Sequence, residues 1–131
     1  EISEIESIGD SCYNIARTLS RRIKGKEDFI PSQYEHMHQM MELTDQALTQ
    51  MNITLVGHKV DNDANLSFNI ENEINNYRNQ LKSQNINDVN NHLYTYAIGT
   101  MYMDIVQECE KLGDYVVNVV EARMGVRQHE A

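Results

Sequence analysis

Apolar residues recur every three or four positions along almost the whole chain, and no run of alternating apolar and polar residues suggests a strand. The first stripe, Ile2, Ile5, Ile8, Cys12, Ile15, Leu19 and Ile23, predicts a helix over residues 1–24, with Gly25 just past its end. After the turn 25–30, Pro31 suits the first position of a second helix over 31–57. Its rhythm, Tyr34, Met37, Met41, Thr44, Leu48, Met51, Leu55, is close to a heptad. Asp61 or Asp63 can cap a third helix over 62–84 that carries Ile70, Ile74, Tyr77 and Leu81. The polar stretch 82–87 reads as a connection, and Asn87 or Asp88 as the cap of a fourth helix over 88–124. Four amphipathic helices with short connections predict an all-α single domain over 1–131, an antiparallel up-down four-helix bundle. The fourth helix is apolar around much of its circumference from Leu93 to Val120, so one side is expected in the core and another against a second surface, such as a partner.

One segment of this pattern occurs twice. Glu4, Glu6, Gly9, Asp10 and Asn14 recur at the same offsets as Glu108, Glu110, Gly113, Asp114 and Asn118. The apolar positions repeat in register as well, Ile8 with Leu112, Cys12 with Val116 and Ile15 with Val119, so an entire amphipathic segment is duplicated. At about 100° per residue, Glu6 with Asp10 and Glu110 with Asp114 fall on the side away from the apolar stripe. Each copy thus presents two acids one helical turn apart, the spacing at which two carboxylates can grip one cation. That spacing costs a few tenths of a kcal/mol, roughly, unless a cation or base sits between the acids. Gly9 and Gly113 cost roughly 1 kcal/mol each against Ala inside a helix, and a bare glycine lets a neighbouring helix or a metal cluster approach the backbone. Hard oxygen donors favour Mg, Ca, Mn or ferric iron. The metal-site candidates are therefore Glu6, Asp10, Glu110 and Asp114, with Asp104, Glu108, Glu71 and Glu73 as accessory oxygens.

Composition narrows the classes. The chain has 131 residues, enough for one ordinary core, and 11 basic against 20 acidic side chains give a formal charge of −9, which repels nucleic acid and anionic lipid. The best basic run, Arg17, Arg21, Arg22, Lys24 and Lys26, suits the C-terminal end of a helix dipole better than a phosphate footprint. Cys12 and Cys109 both lie on apolar stripes and lack a CxxC spacing, so they read as small buried hydrophobes in a reducing compartment, neither a disulfide nor a metal pair. His36 and His38, two apart, point to different sides of their helix and read as surface residues; Met37, Met41, Met101 and Met103 read as core or interface packing. No apolar run approaches the ~18 residues of a membrane span. The chain opens without Met and inside a helical pattern, which suggests a piece of something longer that includes a membrane domain.

The strings Glu6-Ser-Ile-Gly-Asp10-Ser-Cys-Tyr-Asn14-Ile-Ala and Glu110-Lys-Leu-Gly-Asp114-Tyr-Val-Val-Asn118-Val-Val resemble the E-R-I-G/A-D-H-x-x-N-I-A signature of the PhoU family. The resemblance covers essentially the whole chain: the first helix is similar to the end of one three-helix repeat and the other three to a complete second repeat. The stretch Tyr102 to Tyr115 looks most like the PhoU-like domain joined to bacterial sodium/phosphate cotransporters. The resemblance implies a helical regulator of phosphate import with no enzymatic activity, usually a homodimer. It implies a soluble domain on the cytoplasmic side of the inner membrane, serving a membrane transport domain of the same or a related polypeptide, with no insertion of this segment and no nucleic acid partner. It also implies iron or zinc, or another divalent cation, at Glu6, Asp10, Glu110 and Asp114. The chain departs from the signature at Ser11 and Tyr115, where His is frequent, and at Ser7, where a base stands.

Two other classes compete with a metal-binding regulator of phosphate uptake. A metal-free helical interaction or dimerisation module would use the acidic faces to dock a basic partner surface. A di-iron carboxylate enzyme would need inward-facing Glu and a Glu-x-x-His pair on each of two helices, where this chain has one such spacing, Glu35 to His38, and no nucleophile stands with a base.

Overall fold

The computed structural model describes residues 2–24, 28–57 and 60–130, with side chains described over 6–19, 28–57 and 64–125. The described residues form four helices: α1 (Ile2–Lys24), α2 (Pro31–Val56), α3 (Val60–Asn90) and α4 (Tyr96–Glu130). Among the described residues there is no strand. The end of α1 falls where its stripe predicts; Gly25 and the side chains of Arg21, Arg22, Lys24 and Lys26 lie outside the described residues.

Local chemistry fixes the start of α2. Ile30 is extended (φ −81°, ψ 160°) and Pro31 takes the first helical position, where its lack of an N–H costs nothing. Ile30 N–H donates to the Gln33 side-chain oxygen at 3.0 Å, one half of a capping box. Phe29, just before the cap, meets Tyr34 edge-on with ring centroids 5.6 Å apart, the staple that sets the angle of entry. The Tyr34 hydroxyl also donates to Asp28.

The second half of the chain departs from its sequence pattern. α3 begins at Val60, so Asp61 and Asp63 stand inside its first turn instead of capping it, with their side chains outside the described residues. It then continues through 82–87 to Asn90, and the fourth helix starts at Tyr96, not 88. The polar stretch is a solvated helix face: Lys82, Ser83 and Gln84 are exposed, and Gln84 donates to Asp88 four residues on at 2.9 Å. The real break is a Schellman motif, in which Leu93 N–H donates to the Asp88 carbonyl (2.9 Å) and His92 N–H to that of Val89 (3.1 Å). His92 takes the left-handed position (φ 59°) that glycine usually fills. Thr95 then caps α4, its hydroxyl accepting the Ile98 N–H at 3.3 Å. α4 runs to Glu130, past the expected end at 124.

Among the described residues α2, α3 and α4 each pack on the other two, whereas α1 packs on α4 alone. α4 is thus the central helix, and the second surface expected for its apolar circumference is α1 of the same chain. Ile74 lies against Gly113, and Val89 and Asn85 against Gly99, so ascending positions on α3 meet descending positions on α4. The core is built from Met37, Met40 and Ala47 of α2, Ile74 and Leu81 of α3, and Ile98, Tyr102, Ile105, Val106, Val116, Val119 and Val120 of α4. The buried stripe of α2 is Gln33, Met37, Met40, Thr44, Ala47, Met51 and Thr54, with Leu43. Tyr34 is exposed, and Met41, Leu48 and Leu55 form a second, half-buried stripe. α2 carries two apolar faces, and the heptad read from its sequence mixes them. No described helix is long and apolar enough to cross a membrane.

Candidate functional site

The two copies of the motif sit in different surroundings. On α4, Gly113 is buried and faces Ile74 of α3 so closely that an added Cβ would lie 3.2 Å from Cδ1 of that side chain. This close approach carries the carboxylates of the motif to α3. The charge of Asp114 acts on both Glu110 and Glu71 of α3, and the charge of Glu71 acts on Glu110. Burial, then the Asp114 charge, holds the Glu110 carboxyl above the usual carboxylate range; burial likewise raises Glu71, against a hydrogen bond from the Asn75 amide that lowers it. Arg78, two turns beyond Glu71, is the base that favours the charged form of Glu110. Its Nε is buried without a hydrogen-bond partner.

The acids of the second copy therefore lie half-buried along the seam with α3, where the sequence reading placed them away from the core. On α1, Glu6 and Asp10 are exposed, as that reading has it, and nothing lies within 4 Å of a Cβ added at Gly9. Positions whose twins on α4 are buried stand open here: Gly9 for Gly113, Cys12 for Val116, Ala16 for Val120. α1 instead turns Ser11 and Thr18 inward, and the Thr18 hydroxyl donates to the Asn14 carbonyl at 3.0 Å.

Of the accessory acids, Glu71 joins the motif and Glu73 stays exposed beside Gln39 and Leu43 of α2. Asp104 and Glu108 line a polar cleft of about 160 Å³ between α4 and α1, shared with Arg17, Lys111, Asn14 and Thr18. There they meet bases, with Lys111 Nζ 3.3 Å from Glu108. Among the described residues, no three of His, Cys, Asp and Glu are arranged to hold a metal ion. Among the described residues, then, Glu6, Asp10, Glu110 and Asp114 are not gathered into one site, and Arg78 supplies positive charge at the second copy.

Several residues of interest escape a reading of the sequence. Arg78 and Asn75 give no motif; their only signal is a shared helical face with Glu71, Asn75 four residues beyond it and Arg78 three beyond Asn75. His36 is half-buried, its Nδ1 3.1 Å from the Tyr102 hydroxyl and its ring edge-on to Tyr77 at 6.4 Å, so it belongs to a polar seam between α2, α3 and α4. His38 is an exposed surface residue 3.0 Å from Glu42. Met37 and Met103 are buried and Met41 and Met101 partly so, in line with packing. Cys109 is buried, but Cys12 is exposed, which corrects the reading of both as buried hydrophobes. The correction follows from the rotation of α1 on α4, which turns Ser11 in and Cys12 out. Comparison with known protein families, with curated proteins and with solved structures finds no match to this chain.

Proposed function

We propose that this chain is a PhoU-like regulatory domain of sodium-dependent inorganic phosphate uptake, acting without catalysis through the acidic faces of its helices. In this reading it serves a membrane transport domain of the same or a related polypeptide from the cytoplasmic side of the inner membrane, as a homodimer, and binds no nucleic acid. The observation that carries the reading is the unequal use of the twin motif. One copy seals a helix pair through Gly113 and Ile74, while the other, with Glu6, Gly9 and Asp10, stays open. A helix face built to receive another helix, left free and acidic, is a docking surface for a basic partner segment. The up-down order of helices belongs to the same reading and is supported by the opposed register of α3 and α4. The test is sodium-driven uptake of labelled phosphate by the full-length polypeptide, with Glu6→Gln and Asp10→Asn introduced together. Changed uptake, or a changed response of uptake to phosphate supply, at equal expression is expected; unchanged transport in both respects would remove the reading.

A second reading keeps the divalent cation that the resemblance implies: Glu71, Glu110 and Asp114 are not arranged as a finished metal site, so the ion would draw them together and relieve their repulsion. Elemental analysis of protein purified without chelator, with melting curves in added iron, zinc, manganese and magnesium, separates the two. Asp10→Asn with Asp114→Asn would then abolish any metal-dependent rise in Tm and leave helicity intact.

A further inference from the structure

We propose that Cys12 and Cys109 are an oxidisable thiol pair, joined into an intramolecular disulfide by exchange with a small-molecule disulfide such as oxidised glutathione. Both are free thiols. They line one apolar groove of about 230 Å³, formed by Cys12 and Ile15 of α1, Met41 and Leu48 of α2, and Cys109 and Leu112 of α4. The helices that carry the two cysteines pack directly on each other, and the thiols are close enough for the charge of Cys12 to act on Cys109. The groove leaves room for the sulfurs to move towards the short separation that a disulfide demands.

The two members differ in a way that orders the chemistry. Cys12 is exposed, whereas Cys109 is 1 % exposed at the groove floor, and burial pushes its thiol up to about 11, partly offset by a hydrogen bond with Thr44. The thiolate of Cys12 attacks one sulfur of oxidised glutathione, forming a mixed disulfide and releasing one glutathione thiolate. Cys109 then gives up its proton and attacks the Cys12 sulfur, and the second glutathione leaves as thiolate. Two protein thiols become one disulfide while one oxidised glutathione becomes two reduced. A bulky reagent cannot reach Cys109 directly, so the order Cys12 first, Cys109 second is imposed by burial. The bond would tie α1 to α4, its sole packing partner among the described residues, and close a loop over most of the chain.

The experiment is incubation of the reduced protein with oxidised glutathione under mildly alkaline, non-denaturing conditions, followed by intact mass and a non-reducing gel. The expected product is a monomer lighter than the parent by two hydrogens, with Tm raised by roughly 10 °C. Cys109→Ala should instead retain one glutathione on Cys12. A parent that keeps glutathione on Cys12 beside a free Cys109, that stays unmodified, or that links only between molecules overturns the pair, and the parent's mass decides this whether or not the variant folds.

Discussion

Gly9 and Gly113 hold the same place in twin motifs and face opposite demands. An alanine at 9 meets open space, so Gly9→Ala should raise stability by about 1 kcal/mol through helix propensity alone. An alanine at 113 puts its methyl 3.2 Å from Ile74, and that crowding offsets the same gain. Urea unfolding of the two variants should therefore place Gly9→Ala above Gly113→Ala; equal gains would mean that the α3–α4 contact is looser than described. The acids of the second copy make a pH prediction. Glu110 and Glu71 have pKa values raised by folding, so between the ordinary carboxylate value of 4.5 and the raised one the folded state binds more protons than the unfolded. Their contribution then favours the folded state on acidification into that window and is lost as pH rises through the folded values. Glu110→Gln should raise Tm at neutral pH and flatten this part of the profile; an unchanged slope in pH-dependent melting would count against the cluster. Glu6, Asp10, Glu110 and Asp114 were legible in the sequence because a repeat draws the eye to them. Arg78 was not, since it meets Glu110 only through the register of α3 on α4, which no local spacing encodes.

At the scale of elements, legibility followed the chemistry of the ends. α1 and α2 were readable because a continuous stripe, Pro31 and Gly57 mark their limits. The corner between α3 and α4 was not, because His92 does the work of a glycine and Thr95 caps a helix seven residues beyond the acid that looked like the cap. Polar residues at 82–87 imitated a connection while serving as a wet helix face. Thr95→Ala should cost about 1 kcal/mol in chemical denaturation through loss of the cap. Asp88→Ala, the substitution that a helix start at 88 would make costly, should leave the start of α4 in place, as chemical shifts at Tyr96 to Ile98 would report. The misread heptad of α2 has the same root in geometry. A helix that meets α3 and α4 on one face and looks towards α1 from another carries two stripes, and a single periodicity averages them.

For the whole molecule, the all-helical class was legible and the distribution of contacts was not. α2, α3 and α4 are mutually packed; α1 rests on α4, with half-buried Ile8, Ile15 and Leu19 and an open groove towards α2. Hydrogen exchange should accordingly show α1 amides opening at lower free energy than those in the centres of α2 and α4, as a separate cooperative unit. Uniform protection across all four helices would contradict that hierarchy. The placement of α1 also governs the order of assembly. Helices α2, α3 and α4 find each other across short connections, whereas the α1–α4 interface joins the two ends of the chain and must close its largest loop. Truncating Ile15 or Leu19 should then speed unfolding while leaving the rate of folding nearly untouched, the kinetic mark of a helix that docks after the transition state has passed.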